Sequence, residues 1–154
     1  MMSKRIIYIG ADSAGYDMKE LLKVKLAKEG YTVNDMGPDS SASCHYPIYA
    51  SKVSEAVQAN PEGAYGILIC GTGIGMSMCA NKYNGVRAAV CSDTFSARMT
   101  RVHNNANVLC MGARVIGQCL AEEVLDAFLG AEFEDGGRHR QRVDMMSEIE
   151  KKQK

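Results

Sequence analysis

The chain has 154 residues, eighteen acidic side chains against eighteen basic ones, and 46% apolar residues. That length suits one domain, residues 1–154, with a real core: such chains bury roughly 70% of their unfolded surface. The charge balance argues against a general nucleic-acid binder. No apolar run approaches the ~18–20 residues of a membrane span, and Met1-Met2-Ser3-Lys4-Arg5 has no secretory pattern, so a cytoplasmic protein that engages no membrane is expected.

Short apolar runs alternate with helix-like segments. Ile6–Gly10 reads as a strand. Asp17–Glu29 reads as a helix with Met18, Leu21, Leu22 and Leu26 on one face and Gly30 as its stop. Tyr31–Met36 is a second strand, and Gly37–His45 a loop rich in Ser, Asp and Pro. Pro47 suits a first helical turn, and Ala50, Val53, Ala56 and Val57 form the buried face that follows. Tyr65–Cys70 is the third strand, with a helix after it to about Tyr83. Val86–Cys91 is the fourth strand, Thr94–Asn104 a helix, and Val108–Met111 the fifth strand. Ile116–Leu129 is a strongly patterned helix with Leu120, Val124, Leu125 and Phe128 inward and Gly130 at its end. A last helix runs from about His139 into the polar tail. This repetition predicts a five-stranded parallel sheet covered on both faces.

In such sheets ligands bind at the carboxyl ends of the strands. The polar residues there are Asp12-Ser13, Cys70-Gly71-Thr72, Ser92-Asp93 and Gly112-Ala113-Arg114. The run Ile67-Leu68-Ile69-Cys70-Gly71-Thr72-Gly73-Ile74-Gly75 is the most informative. A buried strand ends in a thiol, and glycines at alternate positions let backbone N–H groups approach a ligand closely. The run lacks the Gly-Lys-Ser/Thr of a phosphate-binding loop and the spacing of a dinucleotide fingerprint. It reads either as a tight strand–helix turn or as a cradle holding a reactive thiol against an anionic substrate. The six cysteines (44, 70, 79, 91, 110 and 119) have no zinc spacing, and most are expected to be free thiols acting as small buried hydrophobes.

The other candidates carry two readings each. Asp12 is either a helix cap or a site residue. His103, with Asn104, closes a helix, where the dipole alone could account for an imidazole. His45 stands in the loop before Tyr46-Pro47. In Gly136-Gly137-Arg138-His139-Arg140-Gln141-Arg142, a glycine pair opens a helix and Arg138 and Arg142 lie four apart on one face. They form either a solvated basic turn or a fork for phosphate.

Taken together these residues resemble the ribose-5-phosphate isomerase type B and galactose-6-phosphate isomerase family. The carriers are Asp12, Tyr46-Pro47, the Cys70 loop, Ala80-Asn81-Lys82, His103-Asn104, and Gly136-Gly137-Arg138-His139 with Arg142. The resemblance implies a Rossmann-like three-layer α/β/α sandwich with an additional C-terminal helix. It implies a homodimer, in some members paired into a tetramer, with sites at the subunit interface. The activity implied is metal-free and cofactor-free interconversion of aldose and ketose phosphates through an enediolate, with a small phosphorylated sugar as partner. By the same resemblance Cys70 is the base, assisted by Thr72, and the backbone of Gly71, Gly73, Ile74 and Gly75 is the anion hole. His103 of the neighbouring subunit opens the sugar ring, with Asp12 nearby. Asn104 holds substrate oxygens, and Arg138 and Arg142, with Arg114, grip the phosphate. A second branch of the family uses a glutamate just past the loop, where this chain has Met76.

Two positions depart from the ribose pattern. Asp12-Ser13 stands where Asp-His is usual, and His45 stands where Asp usually precedes Tyr46-Pro47. One change loses an imidazole and the other gains one, so His45 is expected to supply what Ser13 lacks. Asp12-Ser13-Ala14-Gly15 and Arg142-Val143-Asp144-Met145 are also similar to one galactose-6-phosphate isomerase subunit, which lacks the Cys-Gly-Thr-Gly loop. Ribose 5-phosphate is therefore the expected substrate, with a hexose 6-phosphate (allose or galactose type) or a non-catalytic phosphosugar-binding subunit as the alternatives.

Overall fold

The computed structural model describes residues 3–153. The elements run β1 (Ile6–Ala11), α1 (Tyr16–Lys28), β2 (Val33–Asp35), α2 (Tyr46–Ala59), β3 (Ala64–Cys70), α3 (Ile74–Ala80), β4 (Ala88–Val90), α4 (Thr94–Asn104), β5 (Val108–Gly112), α5 (Gln118–Leu129) and α6 (Gly137–Lys151). The five strands form one sheet in the order β2-β1-β3-β5-β4, and every pair is parallel. This is the expected α/β/α sandwich with an added C-terminal helix.

Alternation along the strands sorts the core into two layers. Ile67 and Ile69 of β3 pack with Met18, Leu22 and Leu26 of α1, Ala97 of α4, and Ala121, Val124, Leu125 and Phe128 of α5. Leu68 and Cys70 face the other way, into Ala50, Val53 and Val57 of α2 and Met76 and Ala80 of α3. Every residue of β3 is buried, as expected for a central parallel strand covered on both sides. Full burial of a side chain such as Phe128 or Leu22 contributes about 1.5–3 kcal/mol.

Several expected details differ. Leu21 is 43% exposed, while Lys19 is fully buried on the α1 face. The Lys19 ammonium donates to Asp35 at 2.7 and 2.8 Å and to the Pro38 carbonyl at 2.8 Å. A paired and fully bonded cation can thus occupy the inner face and tie α1 to the end of β2. Leu120 is 36% exposed and Ala121 takes the inward position, because Ala121, Val124, Leu125 and Phe128 share one helical face; α5 itself begins at Gln118 rather than Ile116. β2 keeps only Val33–Asp35. The helix after Cys70 stops at Ala80, short of Tyr83. There the Asn81 side chain leaves the helix to bond both backbone groups of Ala88, at 2.8 and 2.9 Å. Of the six cysteines, Cys70, Cys91 and Cys110 are buried, Cys44 and Cys79 are half-buried, and Cys119 is exposed, so the expectation of mostly buried thiols holds for half of them.

No helix among the described residues is long and apolar enough to cross a membrane.

Candidate active site

The chain moves outward from β1 to β2 on one side, and from β3 to β4 and back to β5 on the other. The direction therefore reverses between β1 and β3, and the crevice outside their carboxyl ends is where a doubly wound sheet binds ligand. Asp12 ends one strand and Cys70 the other. The two ends are tied directly, since Asp12 N–H donates to the Ile69 carbonyl at 3.1 Å. Asp12 Oδ1 accepts from the Gly15 N–H at 3.0 Å, closing the turn before α1, whose N-cap is Gly15 itself with no side-chain cap bond. Among the described residues its second oxygen receives no such bond, and Ser13 beside it is half-buried.

Cys70 is 5% exposed, and its Sγ accepts from the Gly73 N–H at 3.1 Å. This backbone N–H fixes the position of the sulfur at the mouth of the glycine loop. Gly73 has φ 80°, a left-handed turn that glycine adopts without strain and that folds its N–H back onto the sulfur. The Ile74 N–H goes to Thr72 Oγ1 at 3.2 Å. Two amides expected to face an anion thus already hold the loop in shape. Gly112, the register partner of Cys70, is a close-approach glycine: a Cβ there would lie 2.7 Å from the Thr72 backbone.

Two side chains frame this loop. A Cβ on Gly75 would come within 2.8 Å of the Tyr46 ring, and one on Gly71 within 3.5 Å of Arg114. The Arg114 N–H donates to the Gly71 carbonyl at 3.0 Å. His45, the N-cap of α2, precedes Tyr46 and is exposed at the same edge. Met76, where a glutamate base would stand, is fully buried in the core. Burial pushes the Cys91 thiol up to about 11 and the Cys110 thiol well above its ordinary value, so these two stay protonated and act as packing.

The remaining candidates lie elsewhere. A parallel crossover helix starts at the carboxyl edge of the sheet and ends at the amino edge. His103 and exposed Asn104 close α4 and therefore lie at the amino edge, with Arg138 and Arg142 beside them at the start of α6. The five residues of β5 put about 15 Å between the two edges. One chain thus groups Asp12, Ser13, His45, Tyr46, Cys70 to Gly75 and Arg114 at one edge, and His103, Asn104, Arg138 and Arg142 at the other.

At the amino edge the structure adds His139, whose ring stacks on His103 at 4.3 Å with a 6° interplanar angle. His139 is 8% exposed. Burial, and then the neighbouring His103, hold its pKa below the ordinary value. At neutral pH its contact with Glu134, 3.4 Å away, is therefore that of an uncharged imidazole. His103, Glu134 and His139 bring ligand atoms within 4.8 Å of one another. Face-to-face rings present their nitrogens side by side, whereas a tetrahedral metal needs lone pairs converging on one point. The trio is thus better described as a braced histidine pair than a metal cage. The His103–His139 contact joins α4 to α6 across a tertiary interface, so no local sequence pattern announces it.

By geometry this is a doubly wound α/β protein with a thiol and a glycine loop at its switch point. Comparison with known proteins says which kind. The sequence profile described as Ribose/Galactose Isomerase matches residues 7–146. Ribose-5-phosphate isomerase B of Escherichia coli is 48% identical over 146 residues, covering 95% of this chain and 97% of that protein. D-erythrulose-4-phosphate isomerase of Pectobacterium atrosepticum is 49% identical over 133 residues, covering 85% of this chain and 86% of that one. The crystal structure of ribose-5-phosphate isomerase B from Mycoplasma genitalium with bound ribulose 5-phosphate superposes with a TM-score of 0.92 at 39% identity, over 98% of this chain and 99% of that one. The chain belongs to the ribose/galactose isomerase family.

Proposed function

We propose that this protein is an aldose–ketose isomerase that interconverts ribose 5-phosphate and ribulose 5-phosphate, each chain acting as one isomerase domain. The observation that carries the reading is the Cys70 sulfur bonded by the Gly73 N–H at 3.1 Å, at the switch point of a fold shared with a ribulose-5-phosphate complex. In this reading the Cys70 thiolate removes the proton from C2 of the open-chain aldose. The electron pair forms the C1–C2 double bond of an enediolate as the C1 carbonyl pair moves onto O1; the proton is then returned to C1 while the O2 hydroxyl proton passes to O1, giving the ketose. Amides of the Gly71–Gly75 loop and the Thr72 hydroxyl stabilise the oxyanion as charge develops. Asp12 and a histidine help open the furanose ring.

The reading makes the working unit a homodimer, because His103, Asn104, Arg138 and Arg142 reach a Cys70 edge only if a second copy supplies them. Exposed apolar side chains on α3 (Ile74 and Met78) and α6 (Met145 and Ile149) support a surface covered by another chain. Six free cysteines support a reducing, cytoplasmic setting.

A coupled assay on a panel of aldose phosphates tests this. Ribose 5-phosphate is expected to give the highest kcat/KM, with erythrose 4-phosphate and the 6-phosphates of allose and galactose at least ~10-fold lower, about the discrimination worth 1–3 kcal/mol that small pocket differences supply. A hexose optimum would favour the second reading, which Ser13 motivates by leaving room that a histidine would fill. Inactivity on every member would leave a phosphosugar-binding subunit.

His45 is assigned the imidazole that position 13 lacks. Its exposed place at the N-cap of α2, beside Tyr46 and the Gly75 loop, supports this. His45→Ala is expected to raise KM for ribose 5-phosphate by about 5–10-fold, the worth of one substrate hydrogen bond, with kcat little changed. An unchanged KM removes His45 from the site.

A further inference from the structure

A second polar cavity, of about 510 Å³, opens at the amino edge of the sheet, away from Cys70. Four guanidiniums line it; Arg140 pairs with Asp135, and the other three are each held by a bond to a carbonyl. Arg5 Nη1 donates to the Pro61 carbonyl at 3.3 Å and Arg87 Nε to the Asn105 carbonyl at 2.8 Å. Arg101 Nη1 donates to Asn105 Oδ1 at 2.9 Å and to the Ala106 carbonyl at 2.6 Å. Arg5 and Arg101 share the Tyr65 ring, at 4.5 and 4.7 Å from its centroid.

What the three lack is a carboxylate in contact. Among the described residues, none of the three arginines forms an ion pair with a carboxylate. Arg101 is 3% exposed, and its buried Nε has no hydrogen-bond partner. The carboxylates around the cavity act on the three arginines only from a distance. Asp135 and Asp144 are engaged by Arg140, at 2.7 and 3.7 Å, and Glu62 and Glu132 stand exposed in solvent. Burial, and then the charges of Arg5 and Arg87, push Arg101 below the ordinary arginine range, and burial does the same to Arg87. A buried cation with no anion in contact is costly, so the arrangement is one that an anion would stabilise.

We propose that this cavity is a second anion site, in which the guanidiniums of Arg5, Arg87 and Arg101 receive a tetrahedral oxyanion: phosphate, either free or as the monoester of a small metabolite. Planar guanidinium forks suit that geometry, and the volume exceeds what a bare phosphate fills. The site is separate from the substrate anchors assigned above. On α6, Arg140 faces this cavity, and Arg138 and Arg142, two positions to either side, point about 200° away.

The test follows arginine Nε–H resonances by NMR while inorganic phosphate or glycerol 3-phosphate is added to the Arg138→Gln/Arg142→Gln chain. A saturable shift of the Arg101 Nε–H is expected. Adding Arg5→Gln and Arg87→Gln is expected to weaken the binding read from it at least ~10-fold, the worth of a charged hydrogen bond. Tighter binding of glycerol 3-phosphate would identify the monoester as the occupant, and equal binding the free anion. The same resonance read in the unsubstituted chain covers the case of a variant that fails to fold. No saturable shift at Arg101, or a shift indifferent to Arg5 and Arg87, overturns the proposal. Phosphate that perturbs only Arg138 and Arg142 in the unsubstituted chain would overturn it while leaving the proposed isomerase function intact.

Discussion

Cys70→Ala is expected to lower kcat on ribose 5-phosphate by at least ~10³-fold, within the range a positioned base contributes, while the dissociation constant for the phosphosugar changes little. The substitution removes one sulfur and little else. Cys70 ends a fully buried strand paired on both sides, to β1 and β5, so the backbone that carries the loop stays where it is. The Gly73 N–H loses its acceptor, a cost of about 1–3 kcal/mol, but Gly73 remains packed against the Met111 backbone. A steady-state assay paired with calorimetric binding separates the outcomes. Turnover near that of the unsubstituted enzyme would remove Cys70 from the chemistry. Loss of binding along with turnover would mean that the sulfur shapes the loop rather than reacts.

The features legible in the sequence were those written in short-range pattern. The run Ile67–Cys70 announced a strand buried on both faces, and the glycines after it announced a turn of close approach. The order of strands and helices then placed Asp12, Cys70 and Arg114 at one edge. What escaped was decided by tertiary partners. Lys19 lies on the inner face of α1 because Asp35 and the Pro38 carbonyl meet its ammonium. A helical pattern that scores lysine as outward puts Leu21 there instead. Asn81 ends α3 early by bonding to Ala88 across the chain. His139 is a member of the amino-edge cluster only through its stack on His103. The unpaired arginines are likewise invisible locally, since Arg5, Arg87 and Arg101 are scattered along the chain and meet only when the sheet is assembled.

A mixture of two inactive proteins is expected to regain activity. Cys70→Ala removes the assigned base, and His103→Ala removes the imidazole assigned to ring opening, so each variant alone should be inert or nearly so. In one chain these residues sit at opposite edges of the sheet, about 15 Å apart along the strand direction, and cannot serve the same sugar. If each site joins the Cys70 edge of one protomer to the His103 edge of its partner, a mixed dimer holds one site lacking both groups and one site lacking neither. Random reassortment of equal amounts makes half the dimers mixed, each with one of its two sites intact, so activity should return to about a quarter of the unsubstituted level for a two-fold symmetric dimer. Mild dissociation and re-association of the two variants, followed by the isomerase assay, measures it. If both parents are inactive, exchange is confirmed and activity still does not return, each chain must complete its own site, and His103 with its arginine neighbours must act elsewhere. A return well below a quarter despite full exchange would mean that the two sites of a dimer depend on each other, since a doubly disabled site would then silence the intact one.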